Sequence, residues 1–134
     1  MKIRRIKDIS KIKELHSLIF PEDDFDIEKT DELWLVYNDD NKEIGFCSLR
    51  VLPDKMAYFN WAGLLENYWG KGLHRRMISV RTRWAKKNKL EYLLTYTLNN
   101  IHSSVNLIKS NFEVYEPNYE WADENCLYFR KKIR

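Results

Sequence analysis

The chain has 134 residues and a formal net charge of +3, and 44% of its residues are hydrophobic, including five Trp and eight Tyr. This length suits one domain, 1–134, and the many large apolar side chains exclude a disordered chain. No apolar run approaches the roughly 20 residues that a membrane-spanning helix needs, and two cysteines are too few for a disulfide framework.

The N-terminal residues alternate charged and apolar side chains instead of presenting the apolar core of a signal peptide. No Cys/His cluster has the spacing of metal ligands. We therefore expect a cytoplasmic protein with reduced thiols and no bound metal.

The charge is unevenly distributed along the chain. Residues 71–89 hold eight Lys or Arg and no acid, whereas residues 22–26 hold four acids. One face is therefore expected to attract anions and another cations.

The first half of the chain predicts a strand, a helix and three antiparallel strands. The strand covers residues 2–7, and the helix begins at Asp8 or Ser10 and ends at Pro21. The three strands cover residues 33–37, 43–52 and 56–65. Alternation of side chains in the last strand predicts four residues on one face: Tyr58, Asn60, Ala62 and Leu64.

The second half predicts a basic helix over residues 73–88, a strand over 92–98, a helix over 100–110 and strands over about 112–119 and 126–132. The basic helix has one apolar stripe of Leu73, Met77, Val80 and Trp84, and its basic residues, Arg81 among them, lie largely elsewhere. Strand 92–98 should run parallel to strand 56–65 because a helix crosses between them. This order predicts an α/β fold of the α+β type, with a mixed sheet of about seven strands flanked by helices.

The segment 64–76 joins the end of a strand, two glycines and the start of the basic helix. Gly70 and Gly72 allow a tight turn and a close approach of the backbone to a ligand. Unpaired N–H groups and the helix dipole at the start of the helix favour phosphate oxygens. Three cations surround the same point: Lys71, Arg75 and Arg76. The segment therefore predicts a site for a phosphate or diphosphate.

The spacing Leu64-x-Glu66-x-x-Trp69-x-x-Gly72-x-His74 resembles the acetyl-CoA-binding motif of the GNAT N-acetyltransferase superfamily. Further on, Asn100-x-x-Ser103 and the pair Asn111-Phe112 resemble that family's next helix and its end. Glu66, Trp69 and His74 replace the residues that are usual in the motif, and His74 replaces a small residue beside the pyrophosphate.

The resemblance implies an acetyl-CoA-dependent N-acetyltransferase that transfers acetyl from the thioester to a primary amine by direct attack. It implies that a backbone N–H at Leu64 or Leu65 faces the thioester oxygen. The coenzyme-binding residues that it implies are Leu64, Leu65, Trp69, Gly70, Lys71, Gly72, Leu73, His74, Arg75, Asn100 and Ser103. The acidic loop 22–26 would border the acceptor site and favour a cationic small-molecule or peptide amine.

The resemblance also suggests groups for proton transfer. Tyr58 occupies the position of a Glu base in some relatives, and Asn60 is expected to hold a water that relays the proton. His102 is a further candidate base, because histidine is the side chain best suited to proton transfer at physiological pH. The usual Tyr acid is replaced by Leu107, so Ser103 or Ser104 is expected to hydrogen-bond the leaving sulfur, although both also fit as helix caps.

Two alternatives remain open. One is a GNAT-fold binding module that has lost catalysis, because the usual acid is missing. The other, less favoured, is a nucleic-acid-binding protein that uses the basic helix 71–89. The sequence leaves the oligomeric state open, a homodimer included.

Overall fold

A mixed sheet of eight strands forms the centre of the computed structural model, which describes residues 1–134. The strands are β1 (Lys2–Ile6), β2 (Glu32–Tyr37), β3 (Glu43–Leu52), β4 (Met56–Tyr58), β5 (Ala62–Leu64), β6 (Tyr92–Thr97), β7 (Glu113–Tyr115) and β8 (Leu127–Lys132). The helices are α1 (Ser10–Ile19), α2 (Leu73–Lys87) and α3 (Ile101–Lys109), and a short 3-10 helix covers Glu66–Tyr68. The sheet order is β1-β2-β3-β4-β6-β8-β7, and β5 pairs with β3.

The predicted pairing of the strands is confirmed. β2 and β3 are antiparallel, β3 is antiparallel to both β4 and β5, and β4 is parallel to β6. The sheet has eight strands instead of about seven because the predicted strand 56–65 is divided into β4 and β5. β7 ends well before the predicted residue 119, since Pro117 has no N–H to donate to a neighbouring strand.

One extra residue separates β4 from β5 and reverses the direction of the side chains. Tyr58 pairs with Arg50 and Ala62 pairs with Cys47, so three residues between the pairs face only two residues of β3. Arg50 and Cys47 lie three positions apart in a continuous strand and therefore point to opposite faces. The prediction that alternate residues from Tyr58 to Leu64 share one face is wrong, because this β-bulge turns Tyr58 and Ala62 to opposite faces.

Helix α2 buries a face that differs from its predicted apolar stripe: Ile78, Arg81, Thr82 and Ala85 are also buried, whereas Val80 and Trp84 are only half-buried. Leu73 and Met77 are buried as expected, but Arg81, which was grouped with the exposed cations, is only 3% exposed. Arg81 lies one helical turn after Met77 and two turns after Leu73, so it shares their face. The sheet supplies carbonyl acceptors for it at the bulge.

Helix α1 covers the other face of the sheet and buries an imidazole. Asp8 lies just before the helix, where its carboxylate accepts hydrogen bonds from the Ser10 N–H at 3.0 Å and hydroxyl at 2.6 Å. His16 lies among aromatic rings, with the Trp61 and Phe25 ring centres 4.7 and 5.1 Å away. Its Nε2 atom is buried without a hydrogen-bond partner, and burial lowers the pKa of His16.

Protonation of His16 is expected to destabilise the fold. Because the folded-state pKa lies below the ordinary value of 6.5, the unfolded chain takes up the proton more readily, and the free energy of unfolding falls as the pH drops below that value. In His16→Leu this fall should be smaller, although His74, whose pKa is also lowered, retains part of it. Urea unfolding at a series of pH values measures the difference. The exposed His102→Gln variant serves as control, and an unchanged pH slope in His16→Leu contradicts the prediction.

Candidate functional site

After the bulge, the sheet separates between β5 and β6, which do not pair with each other. β4 pairs with β6, and the last contacts between the two sides are the Phe59 N–H to the Leu94 carbonyl and the Thr95 hydroxyl to the Phe59 carbonyl, both at 2.9 Å. β5 pairs only with β3. The facing edges of β5 and β6 are therefore unpaired and bound a wedge-shaped gap whose closed end is at Phe59.

Backbone groups of β5 point into this gap. The Leu65 N–H donates to the Ile44 carbonyl at 2.8 Å, and the Trp61 carbonyl accepts from the Ser48 N–H at 2.9 Å. Because backbone groups alternate between the two edges of a strand, the N–H groups of Ala62 and Leu64 face the gap. Of the two expected donors at the strand end, Leu64 is therefore available, whereas Leu65 is engaged by β3.

The gap widens into a cavity of about 200 Å³ between β5, β6, α2 and α3, which we call the central cleft. Its lining residues include Phe59, Asn60, His74, Arg81, Ser103 and Leu107. Asn100, at the start of α3, also lines it. The cleft thus contains an expected coenzyme-binding residue from each of the two helices.

The glycine turn lies where α2 begins, two residues before His74, which lines the central cleft. Gly70 and Gly72 have φ angles of +75° and +77°, which favour glycine, and a Cβ on Gly72 would meet no atom within 4 Å. The first hydrogen bond of the helix runs from the Arg76 N–H to the Gly72 carbonyl at 3.2 Å. The N–H groups of residues 73–75 therefore have no partner within the helix.

An acidic pocket of about 310 Å³ adjoins the central cleft. It is lined by Asp23, Asp24, Asp26, Tyr58, Asn60, Trp61 and Tyr96. Asn60, Trp61 and Tyr96 line both cavities. The two cavities thus meet at the β-bulge.

A basic groove of about 490 Å³ follows α2 away from Gly72. Its charged lining residues are Arg75, Arg76, Arg83, Lys86 and Lys131, with no carboxylate among them. None of these cations forms a salt bridge. The groove is the surface that the nucleic-acid alternative would use, and that alternative stays a prediction.

The sequence matches the acetyltransferase (GNAT) family over residues 3–112. The chain belongs to the GNAT family. No curated protein matches the sequence.

Solved GNAT structures share the whole fold at low sequence identity. An IAA acetyltransferase from Bacillus cereus is 17% identical with a TM-score of 0.80, and the alignment covers 98% of this chain and 99% of that one. A Bacillus subtilis acetyltransferase in complex with CoA is 14% identical with a TM-score of 0.81 and 99% coverage of both chains. A GNAT family acetyltransferase from Elizabethkingia anophelis with acetyl-CoA bound is 14% identical, with a TM-score of 0.75 and 98% coverage of both chains. No helix of this GNAT chain is long and apolar enough to cross a membrane.

Two of the three departures from the usual GNAT motif, Trp69 and His74, have identifiable surroundings. The Trp69 indole N–H donates to the Leu64 carbonyl at 2.9 Å and so ties the glycine turn to the end of β5. Lys71 is exposed. His74 lines the central cleft, where burial, followed by the charges of Arg81 and His102, lowers its pKa. The imidazole of His74 is therefore neutral near neutral pH and adds no positive charge for a phosphate.

Helix α3 brings one of the two candidate serines to the cleft. The Asn100 side chain caps the helix by accepting the Ser103 N–H at 3.0 Å. The Ser104 hydroxyl is engaged with the Asn100 carbonyl and with Thr97, each at 2.9 Å. The Ser103 hydroxyl makes no hydrogen bond with the protein and its residue lines the cleft, so Ser103 is the available hydroxyl.

Two other predicted positions on α3 differ in their placement. Leu107 is 6% exposed and lines the central cleft, so the position of the usual GNAT acid is apolar here. His102 is exposed and lines neither the central cleft nor the acidic pocket. The structure therefore does not bring His102 to the other candidate catalytic residues.

Asn60 is held in place by a buried ion pair that the sequence did not reveal. Its carboxamide oxygen accepts the Ser48 hydroxyl at 2.6 Å, and its Nδ2 donates to Asp31 at 3.1 Å. The Asp31 carboxylate, whose side chain is fully buried, receives two hydrogen bonds from Arg50 at 2.9 Å. One Nδ2 hydrogen of Asn60 remains for a water or a ligand.

Tyr58 lines the acidic pocket together with Asn60, but its phenol is poorly suited to accept a proton. Its ring is stacked on Tyr96 with centres 6.3 Å apart, and Trp121 meets it edge-on at 5.3 Å. Burial, together with the neighbouring Tyr96, raises the pKa of the Tyr58 phenol. The hydroxyl keeps its proton and can act as a hydrogen-bonding group.

Two residues at the centre of this site, Trp61 and Arg81, are not among the residues predicted from the sequence. Trp61 lines both cavities and donates its indole N–H to the Asp26 carbonyl at 3.0 Å, which anchors the acidic loop. Arg81 lines the central cleft. The four-residue spacing from Met77 was the available signal for Arg81, whereas Trp61 faces the pocket only because of the bulge.

Proposed function

We propose that this GNAT protein, as a single domain over residues 1–134, transfers an acetyl group from acetyl-CoA to a primary amine by direct attack. The coenzyme would occupy the central cleft and the amine would enter through the acidic pocket. The observation that carries this proposal is the meeting of the two cavities at the bulge, where Asn60, Trp61 and Tyr96 line both.

The residues of the cleft fit acetyl-CoA. The free N–H groups of residues 73–75, with Lys71 and Arg75, suit a diphosphate. The backbone of Ala62 and Leu64 offers strand-like hydrogen bonds to an extended, amide-bearing arm. When bound, acetyl-CoA supplies an activated acyl group, and the closed end of the gap at Phe59 would hold it.

The chain's own groups meet the demands of acyl transfer. Backbone N–H groups of β5 face the gap and can stabilise an oxyanion. A water on the free Nδ2 hydrogen of Asn60 would receive the amine's proton, and the Ser103 hydroxyl would hydrogen-bond the leaving sulfur. Asp31 and Ser48 fix the orientation of Asn60, which would hold that water at one position.

The acidic pocket favours a cationic acceptor, either a small molecule or a peptide amine. Asp23 and Asp24 form no salt bridge, while Asp26 lies 3.7 Å from Arg50 and is partly neutralised. Aromatic faces of Tyr58, Trp61 and Tyr96 complete the pocket. Carboxylates and aromatic rings together attract an ammonium group.

Acetyl-CoA is expected to raise the melting temperature of the protein, and Gly72→Glu should remove this effect because a carboxylate would repel the diphosphate. Gly72→Ala is the matched control: it has the same positive φ, which costs about 1 kcal/mol, but adds no charge. Its side chain meets no protein atom within 4 Å, so the fold should persist, and any greater loss of binding in Gly72→Glu reports the added charge. Thermal shift assays with acetyl-CoA measure all three proteins.

A missing shift in the wild type, or a full shift in the Gly72→Glu variant, contradicts the diphosphate site. Coenzyme binding without acetyl transfer to any of a panel of amines would instead favour the non-catalytic GNAT module.

The double variant Asp23→Asn/Asp24→Asn should raise KM for a cationic amine about five- to tenfold, since each exposed ion pair contributes up to about 1 kcal/mol. KM for acetyl-CoA should stay constant. Added salt should weaken the preference of the wild type for the more highly charged amine. Steady-state kinetics with a diamine and with a monoamine of the same length, which lacks the second ammonium group, measure this. Asp40→Asn, in the distant β2–β3 turn, is the control, and an equal effect on both amines contradicts a cation-selective pocket.

A further inference from the structure

Arg81 carries a buried positive charge that no carboxylate neutralises. Its side chain is 3% exposed, and it takes part in no salt bridge. A charge that is buried without a counter-ion is among the most costly features of a protein interior. By contrast, Arg50, the other arginine near the site, pairs with the buried carboxylate of Asp31.

Carbonyl groups and one aromatic ring compensate part of this cost. The Arg81 Nε donates to the Met77 carbonyl at 3.1 Å, and Nη1 donates to the carbonyls of Ser48 and Trp61 at 3.1 and 3.4 Å. The guanidinium carbon lies 4.1 Å from the centre of the Phe59 ring. These contacts fasten α2 to the bulge, but a neutral donor would satisfy the same carbonyls. The bulge alone therefore does not account for a permanent charge.

One nitrogen of the guanidinium has no partner in the protein. Nη2 makes no hydrogen bond, because the hydrogen bonds of Arg81 come from Nε and Nη1. The one side-chain nitrogen or oxygen that is completely buried without a partner is His16 Nε2, so Nη2 of Arg81 is not completely buried. Nη2 therefore keeps some accessible surface, and the cavity that Arg81 lines is the central cleft. The free donor of a buried cation is thus available to a ligand in that cleft.

Arg81 lies at the end of the cleft where chemistry is expected. It follows Gly72 by nine positions, which places it about 13 Å along the helix axis from the diphosphate turn. It contacts Phe59, where the strands are still joined. Leu107, from α3, lines the same cleft without a polar group.

We propose that Arg81 is a catalytic residue that stabilises the thiolate leaving acetyl-CoA, an inference that rests on the proposed acetyl transfer. The amine nitrogen forms a bond to the acetyl carbon, the carbon–sulfur bond breaks, and its electron pair stays on the sulfur. The surplus proton of the new amide nitrogen passes to water, and the thiolate takes a proton from solvent after it departs. The guanidinium offsets the negative charge on sulfur without giving up a proton, so no acid is needed at position 107.

The pKa of the thiol of bound CoA tests this proposal directly. Ultraviolet absorbance reports the thiolate, and subtraction of the same titration with desulfo-CoA, which has no thiol, removes the signals of Cys47, Cys126 and the tyrosines. We expect the thiol pKa to fall on binding by at least one unit, about a tenfold gain in thiolate. It should stay lowered in Arg81→Lys and rise above that of free CoA in Arg81→Met, because burial without a nearby cation disfavours the thiolate. Arg83→Met, on the basic groove, is the matched control and should behave as the wild type.

A bound thiol whose pKa is not lowered in the wild type overturns the proposal, as does an unchanged lowering in Arg81→Met. Circular dichroism and the affinity for desulfo-CoA show whether Arg81→Met folds. If it does not fold, the thiol pKa of CoA bound to the wild type and to Arg81→Lys tests the proposal. The titratable neighbours of Arg81 are His74 and Cys47. Both contribute equally to the titrations with CoA and with desulfo-CoA, so the subtraction removes their signals. Absence of any CoA binding overturns the proposed function as well, whereas binding with an unlowered thiol pKa overturns only the role of Arg81.

Discussion

A single extra residue between Tyr58 and Ala62 determines the geometry of the whole site. It shifts the hydrogen-bonding register against β3 and keeps β5 from continuing alongside β6. The unpaired edges that result bound the central cleft, and the bulge itself turns Asn60 and Trp61 toward the acidic pocket. Without the extra residue, β5 could pair with β6 and no cleft would separate them.

Polar contacts from both faces of the sheet hold this bulge. On the α1 face, Ser48 and the buried pair of Asp31 and Arg50 fix Asn60. On the α2 face, Arg81 binds the carbonyls of Ser48 and Trp61. Backbone groups that a bulge leaves unpaired in the interior need such partners, because an unsatisfied buried carbonyl costs as much as a lost hydrogen bond. Stability of the fold and placement of the candidate catalytic groups therefore depend on the same contacts.

Most of the fold, the glycine turn and the cap of α3 could be predicted from the sequence, because the signals are local. Gly70 and Gly72 adopt the positive φ angles that glycine allows, and Asn100 caps α3 as its position suggests. The bulge could not be predicted, since residues 56–65 read as one continuous strand and the extra residue is defined only by the pairing with β3. Burial of Arg81 was missed because a charged side chain was assigned to the surface, although its spacing from Met77 placed it on the core face. Asp31 lies 19 residues from Arg50, so this pair became visible only in three dimensions.

Amide hydrogen exchange with and without CoA tests most directly whether the open edge of β5 binds the coenzyme as an added strand would. The N–H groups of Ala62 and Leu64 should exchange fast in the free protein and become strongly protected when CoA is bound. Leu65, already bonded to Ile44, should change little. Equal exchange of Ala62 and Leu64 in the two states, under conditions where CoA binding is saturated, would contradict the account.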